Sequence, residues 1–241
     1  MPRHYAREAN YFLLKNRLLL LLICILALLV GLPLLNEELV MYTVVSDFLL
    51  SLIMIAGIYA VSPNRQLLTV AILLATLTIV IIWSNILIPS RELIIMGLSL
   101  QIIFFILTIT ILLSHVLQYK RITADKIYGA ICGYLMIGLM WSFGYTMIEN
   151  ISPGSFAFDH RLISTLYYGL QQPNYFPQFI YYSFITLTTT GYGDITPLSN
   201  IARAISPLEA VVGKLYVAIL IARLVGLHIT HTALKINNHK S

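Results

Sequence analysis

The chain has 241 residues, of which 59% are apolar and only 10% charged, and its mean hydropathy is +0.85. Those proportions exclude a soluble globular domain and place the chain among integral membrane proteins. Its net charge of +5 is scattered along the flanks of apolar runs, so it reads as an orientation signal and no nucleic-acid partner is expected.

Apolar runs of membrane-spanning length are predicted at 17–35, 39–61, 66–89, 93–117, 127–148 and 200–227. The first follows Arg17 and lacks a small-x-small cleavage pattern, so it is expected to be a retained span and not a signal peptide. Asp47 lies inside the second span, where a carboxylate is expensive unless protonated, paired or watered. It is either a ligand, proton or coupling site, or a structural hydrogen bond to Asn85, Gln101 or His115 on a neighbouring helix. Cys24 and Cys132 both fall in apolar spans, which points to neither a disulfide framework nor a metal cluster.

The fourth span, 93–117, holds no Arg, Lys, Asp or Glu, and His115 is its sole titratable group. One charge crossing the membrane field is worth about 2.3 kcal/mol per 100 mV, and steep voltage gating needs several. Residues 1–120 are therefore expected to form a four-helix bundle without voltage-sensor arginines, packed on the remainder of the chain and anchoring it in lipid.

After the fifth span, 149–175 is rich in Tyr, Pro and Gly and reads as an extracellular turret. Residues 176–188 are too short to span a bilayer and carry Pro177 near the start, where a helix tolerates it, so a re-entrant helix is predicted. Then comes Thr-Thr-Thr-Gly-Tyr-Gly-Asp at 188–194, followed by a loop at Pro197 and the last span. A pore that strips water from a cation must replace its hydration shell with oxygens, and backbone carbonyls serve if a strand turns them to one axis. Such a backbone needs residues that tolerate positive φ, here Gly191 and Gly193.

This stretch resembles the selectivity filter of potassium channels, whose common form is Thr-Val-Gly-Tyr-Gly; Thr190 takes the Val place and adds a hydroxyl. The resemblance covers 127–229, a pore module like that of the two-transmembrane ion channel family. It implies an all-α membrane protein with six spanning helices, a re-entrant pore helix and filter loop, and a fourfold tetrameric pore. Potassium would sit at the carbonyls of Thr189, Thr190, Gly191 and Tyr192, with the Thr189 hydroxyl and Gly193 completing the filter. Tyr181 and Tyr182 match the paired aromatics that buttress the filter tyrosine, making Tyr182 the expected partner of the Tyr192 hydroxyl; Thr186 and Asp194 complete the support. Gly213 stands at the hinge glycine of the inner helix.

The resemblance divides the chain into the bundle 1–120, a pore domain 121–229 and a short cytoplasmic tail 230–241. It implies passive, potassium-selective conduction by a homotetramer in lipid, with K⁺ as the permeant ion, no cofactor, no enzymatic reaction, and a gating partner outside the chain as a further expectation. The alternatives are a nonconducting regulatory subunit using the pore fold as a scaffold, or a weakly selective cation channel. Relatives often carry a sensing domain after the inner helix, and the residues following Leu227 are too few for one.

Several charges qualify this reading. Glu209 and Lys214 lie in the last span, where a buried charge survives only when paired or watered, so a Glu209–Lys214 pair within or between chains is expected, or a desolvated Lys214. Asp194 and Arg203 are expected to form an electrostatic network at the outer mouth, and Arg223 to reach toward headgroups. His228 and His231 are candidates for pH sensitivity. Arg3, Arg7, Lys15, Arg17, Arg65, Lys120, Arg121, Lys126, Lys235 and Lys240 fall on one side of a consistent threading, leaving Arg91, Arg161 and Arg203 opposite. Both termini are thus expected in the cytoplasm of a prokaryotic inner membrane.

Overall fold

The computed structural model describes residues 17–34, 39–61, 65–118, 124–158 and 175–238. Arg3, Arg7, Lys15, Lys120, Arg121, Arg161, Lys240 and most of the turret lie outside them, as do the side chains of Arg65, His115, His228, His231 and Lys235. The described residues form α1 (Arg17–Leu34), α2 (Leu39–Val61), α3 (Arg65–Leu87), α4 (Arg91–Gln118), α5 (Ala124–Ile151), β1 (Phe156–Phe158), α6 (Phe176–Leu187), β2 (Ile195–Pro197) and α7 (Asn200–Asn238). Six of these helices are long and apolar enough to cross a membrane; α6 is the short exception. The chain is an all-α membrane protein, with one two-stranded ribbon among the described residues.

Helix starts follow local chemistry. Ser90 accepts the Leu93 N–H at 3.2 Å and caps α4, and Ser199 accepts the Ala202 N–H at 3.2 Å and caps α7. Pro177 sits in the first turn of α6, where its missing N–H costs nothing.

Helices α1 to α5 pack around a continuous apolar core that includes Ile25, Leu28, Ile53, Met54, Phe104, Phe105 and Phe143. Phe105 meets Phe143 edge-on at 5.1 Å, joining α4 to α5, and Phe143 stacks on Phe176 at 4.9 Å, joining α5 to α6. A second cluster of Tyr145, Phe156, Phe179, Tyr182, Ile185, Ile195 and Ala202 lies where α5, α6, α7 and the ribbon converge.

Helix α4 is tied to the later helices at both ends. At its start the Arg91 guanidinium donates to the carbonyls of Asn150 (2.8 Å) and Ile151 (2.7 Å), the unsatisfied C-terminal groups of α5. Near its end the Leu117 carbonyl accepts from Arg223 of α7, so Arg223 is bonded to protein and does not reach freely toward headgroups. Each arginine meets the negative end of a helix dipole.

Two sequence boundaries change. The expected turret contains β1, which pairs antiparallel with β2 in the register Phe156↔Pro197, Ala157↔Thr196 and Phe158↔Ile195. A three-residue strand is too short to register as alternation, and its partner lies beyond the re-entrant helix. Helix α7 also runs on to Asn238, through most of the expected tail.

Glu149 ends α5 with its side chain folded back over the turn. Its two carboxyl oxygens accept the N–H groups of Gly154 (2.7 Å) and Phe156 (3.1 Å), which sets where β1 begins. Replacing Glu149 by Ala removes both acceptors and is expected to cost about 1–3 kcal/mol of stability. Glu149→Gln, which keeps one acceptor oxygen, should cost less. Thermal unfolding of the purified protein measures the order, and an unchanged melting temperature in Glu149→Ala would contradict it.

Candidate functional site

The C-terminal turn of α6 is the platform of the site. Helix ends leave carbonyls unpaired, and here the following loop supplies the donors. Thr188 N–H donates to Phe184 O (3.1 Å) and Thr189 N–H to Thr186 O (2.9 Å), while Thr190 N–H and Gly191 N–H both reach Ile185 O, at 2.8 and 3.1 Å. Thr186 thus contributes through its main chain.

Every second residue of this loop has positive φ: Thr189 at 58°, Gly191 at 56° and Gly193 at 83°. Glycine adopts that region freely, whereas a β-branched threonine there is strained and persists only where its surroundings over-determine it. The three N–H bonds flanking Thr189 are that over-determination. The Thr190 hydroxyl also finds a partner. Thr188 Oγ1 donates its one proton to Phe184 O at 2.7 Å, so at 2.9 Å Thr190 Oγ1 is the donor to Thr188 Oγ1.

Beyond the glycines, Asp194 accepts from the Tyr181 hydroxyl at 2.6 Å and from the Ile195 N–H at 3.1 Å. The Tyr181 ring lies parallel to Tyr192 at 6.4 Å. Arg203 donates instead to the Pro197 carbonyl at 3.3 Å, so the two charges take separate partners and form no network within one chain. Tyr182 is buried and its hydroxyl donates to Ser206 Oγ at 2.8 Å, so within one chain it is engaged with α7 and not with Tyr192.

Helix α7 turns a narrow stripe toward α5 and α6: Ala202, Ser206, Glu209, Gly213 and Tyr216, spaced four, three, four and three residues apart. Gly213 is buried against the end of α6, where a Cβ would run into the Leu187 carbonyl. The structure thus gives it a packing reason. Tyr216 donates to the Ala130 carbonyl of α5 at 2.6 Å.

Glu209 is fully buried and accepts hydrogen bonds from Tyr145 of α5, at 2.5 Å, and from Ser183 of α6. The expected Glu209–Lys214 pair is absent. Five residues place Lys214 about 140° further round the helix, and it is exposed in the single chain. Glu209 has no accessible surface in the single chain.

Asp47 is half-buried, and neither expected partner among the described side chains bonds to it: Asn85 accepts the Ser90 N–H at 3.3 Å, and Gln101 of α4 is buried without a bond to Asp47.

Residues 155–228, which cover the ribbon, α6, the loop and much of α7, match the family model described as Ion channel. No curated protein and no solved structure matches the chain. The chain therefore carries an ion-channel pore module within a multi-pass helical membrane protein, and its class is ion transport.

Tyr145, Ser183, Ser206 and Tyr216 were not singled out from the sequence. The signal that could have found them is the four-three spacing of small and polar residues along α7, a seam that demands polar partners opposite.

Gly213→Ala forces the α6 and α7 backbones apart. It is expected to destabilise the protein by about 1–3 kcal/mol, the usual range for overpacking. A melting temperature equal to that of the unmodified protein would show that α6 can move aside freely.

Proposed function

We propose that the chain is one subunit of a potassium-selective channel in which residues 189–193 form the filter. The observation that carries this reading is the positive φ at Thr189, Gly191 and Gly193. Alternating handedness turns successive peptide groups the same way, the carbonyl counterpart of an N–H nest. The carbonyls of Thr189, Thr190, Gly191 and Tyr192, with the Thr189 hydroxyl, would then replace the water around K⁺. The negative end of α6 would face the same space and favour a cation there.

One chain supplies one wall of such a pore. A ring of carbonyls needs about four, and closed rotational symmetry is the usual solution. In the single chain Tyr192 is 71% exposed, and Ile201, Leu208, Leu215 and Ile219 of α7 are each more than half exposed. Three further copies would cover that surface, making the homotetramer the proposed assembly. Conduction is then passive and needs no cofactor.

Helix α4 begins with Arg91, whose guanidinium is committed to α5, and no Lys or Arg follows in 93–117. This favours gating without an intrinsic voltage sensor, the bundle serving as a membrane anchor and the stimulus coming from the pore helices, lipid or a separate partner. The proposed orientation keeps both termini cytoplasmic in a plasma (inner) membrane, as the basic flanks favour.

The test is the reversal potential of purified protein in a planar bilayer with asymmetric K⁺ and Na⁺. A value near the potassium equilibrium potential, with block by Ba²⁺, supports the reading. A value near zero would replace it with a nonselective cation pore, and silence across voltage and pH leaves either a closed channel lacking its activator or a nonconducting scaffold. Two substitutions sharpen the result. Thr190→Val removes one hydroxyl bond but no carbonyl, and Lys214→Gln removes a charge that touches no filter residue within the chain. Both are expected to leave the K⁺ over Na⁺ preference intact, and loss of preference in either would contradict its assigned place.

A further inference from the structure

We propose that Glu209 is a positioning residue through which α7 holds the filter in place, acting through Ser183 of α6 and Tyr145 of α5. The proposal rests on the filter reading above and names a support that the filter motif does not contain.

A carboxyl group inside a membrane protein is costly unless it is fully hydrogen-bonded. Leucine at this position would fill similar space without that cost, so packing alone does not account for Glu209. What the carboxyl does is join three helices at one point. It lies on α7 and accepts from Ser183 and Tyr145, so each of its oxygens holds a different helix.

Both partners lead to the loop. Two and three residues after Ser183 come Ile185 and Thr186, whose carbonyls accept the N–H groups of Thr189, Thr190 and Gly191. A shift of Ser183 therefore shifts the platform under the filter. Tyr145 sits at 5.0 Å from the Tyr182 ring and 5.5 Å from Phe156, so it holds the aromatic cluster beside β2, which continues directly from Asp194.

Ser183 has one hydroxyl proton and two acceptors in reach, Glu209 and the Gly138 carbonyl of α5 at 2.7 Å. It ties α6 to α7 only while it bonds to Glu209. A displacement of α7 that pulls Glu209 away leaves Ser183 bonded to α5 alone, and of the side-chain bonds between α6 and α7 described above only Tyr182–Ser206 then remains.

Glutamine keeps the shape and can accept from Tyr145 while its amide donates to Ser183; leucine keeps only the bulk. The experiment measures hydrogen exchange, by mass spectrometry, in the full-length protein purified in K⁺, together with the K⁺ over Na⁺ permeability ratio in bilayers. Glu209→Gln is expected to stay within about twofold of the unmodified protein in both. In Glu209→Leu, exchange at 189–191 should quicken and the permeability ratio fall, each by about tenfold, the scale of one hydrogen bond to a charged group. Exchange in α1 to α4 should be unchanged.

Unaltered exchange at 189–191 in Glu209→Leu overturns the proposal. So does an increase spread evenly over all helices, which would mark Glu209 as a general stabiliser. If Glu209→Leu does not assemble, Ser183→Ala and Tyr145→Phe each remove one bond and are judged by the same local or even pattern. Should the unmodified protein conduct without preference for K⁺, the filter reading falls, and the exchange pattern still decides whether Glu209 positions the loop.

Discussion

A backbone that leaves helical geometry inside a membrane protein is tolerated only where protein buries it or it lines a water-filled cavity, so N–H groups turned into the protein must find partners there. Everything around residues 188–194 answers that constraint. The last carbonyls of α6 take four successive N–H groups from Thr188 to Gly191, and the loop in turn closes the open end of α6. Neither part is satisfied without the other. That mutual capping holds Thr189 at a φ its side chain disfavours, with glycine supplying the same hand at 191 and 193.

The platform is useful only if α6 itself cannot move. Its position is set from three sides: Gly213 lets α7 approach to backbone contact, the aromatic cluster fills the space toward β1 and β2, and Glu209 draws α5, α6 and α7 together. Around this lies a looser frame in which Arg91 and Arg223 fasten opposite ends of α4 to α5 and α7. The bundle is thus joined to the pore module by helix-end hydrogen bonds as well as by apolar packing. A rearrangement of α7 would act on α4 and on the loop platform together, because Arg223 and Glu209 lie on the same helix.

Much of this architecture was readable in advance. Long apolar runs announce spanning helices because lipid leaves few other ways to satisfy a backbone, and all six appear within a few residues of their expected places. The short helix from Phe176 is legible from its length and from Pro177, and the positive φ at both loop glycines from residue type alone. The positive φ at Thr189 was not, since a threonine signals nothing of the kind. The β1–β2 ribbon also escaped, because three-residue strands carry no period and their pairing crosses the whole re-entrant segment.

The charged residues divide along the same line. Their presence in apolar helices identified Glu209 and Lys214 as costly, but sequence proximity suggested that they pair. Helical rotation sends them to different faces, one into a three-helix junction and one outward, and the true partners of Glu209 lie 64 and 26 residues away. Asp194 and Arg203 separate similarly, one to Tyr181 and the other to Pro197. Composition, span length and the glycine pattern are local or additive properties, so the chain alone was enough to indicate a six-span membrane protein with a short helix and a glycine-bearing loop before its last span. Hydrogen-bond partners depend on which faces meet when helices pack, a long-range geometric outcome, and only the folded structure could assign them.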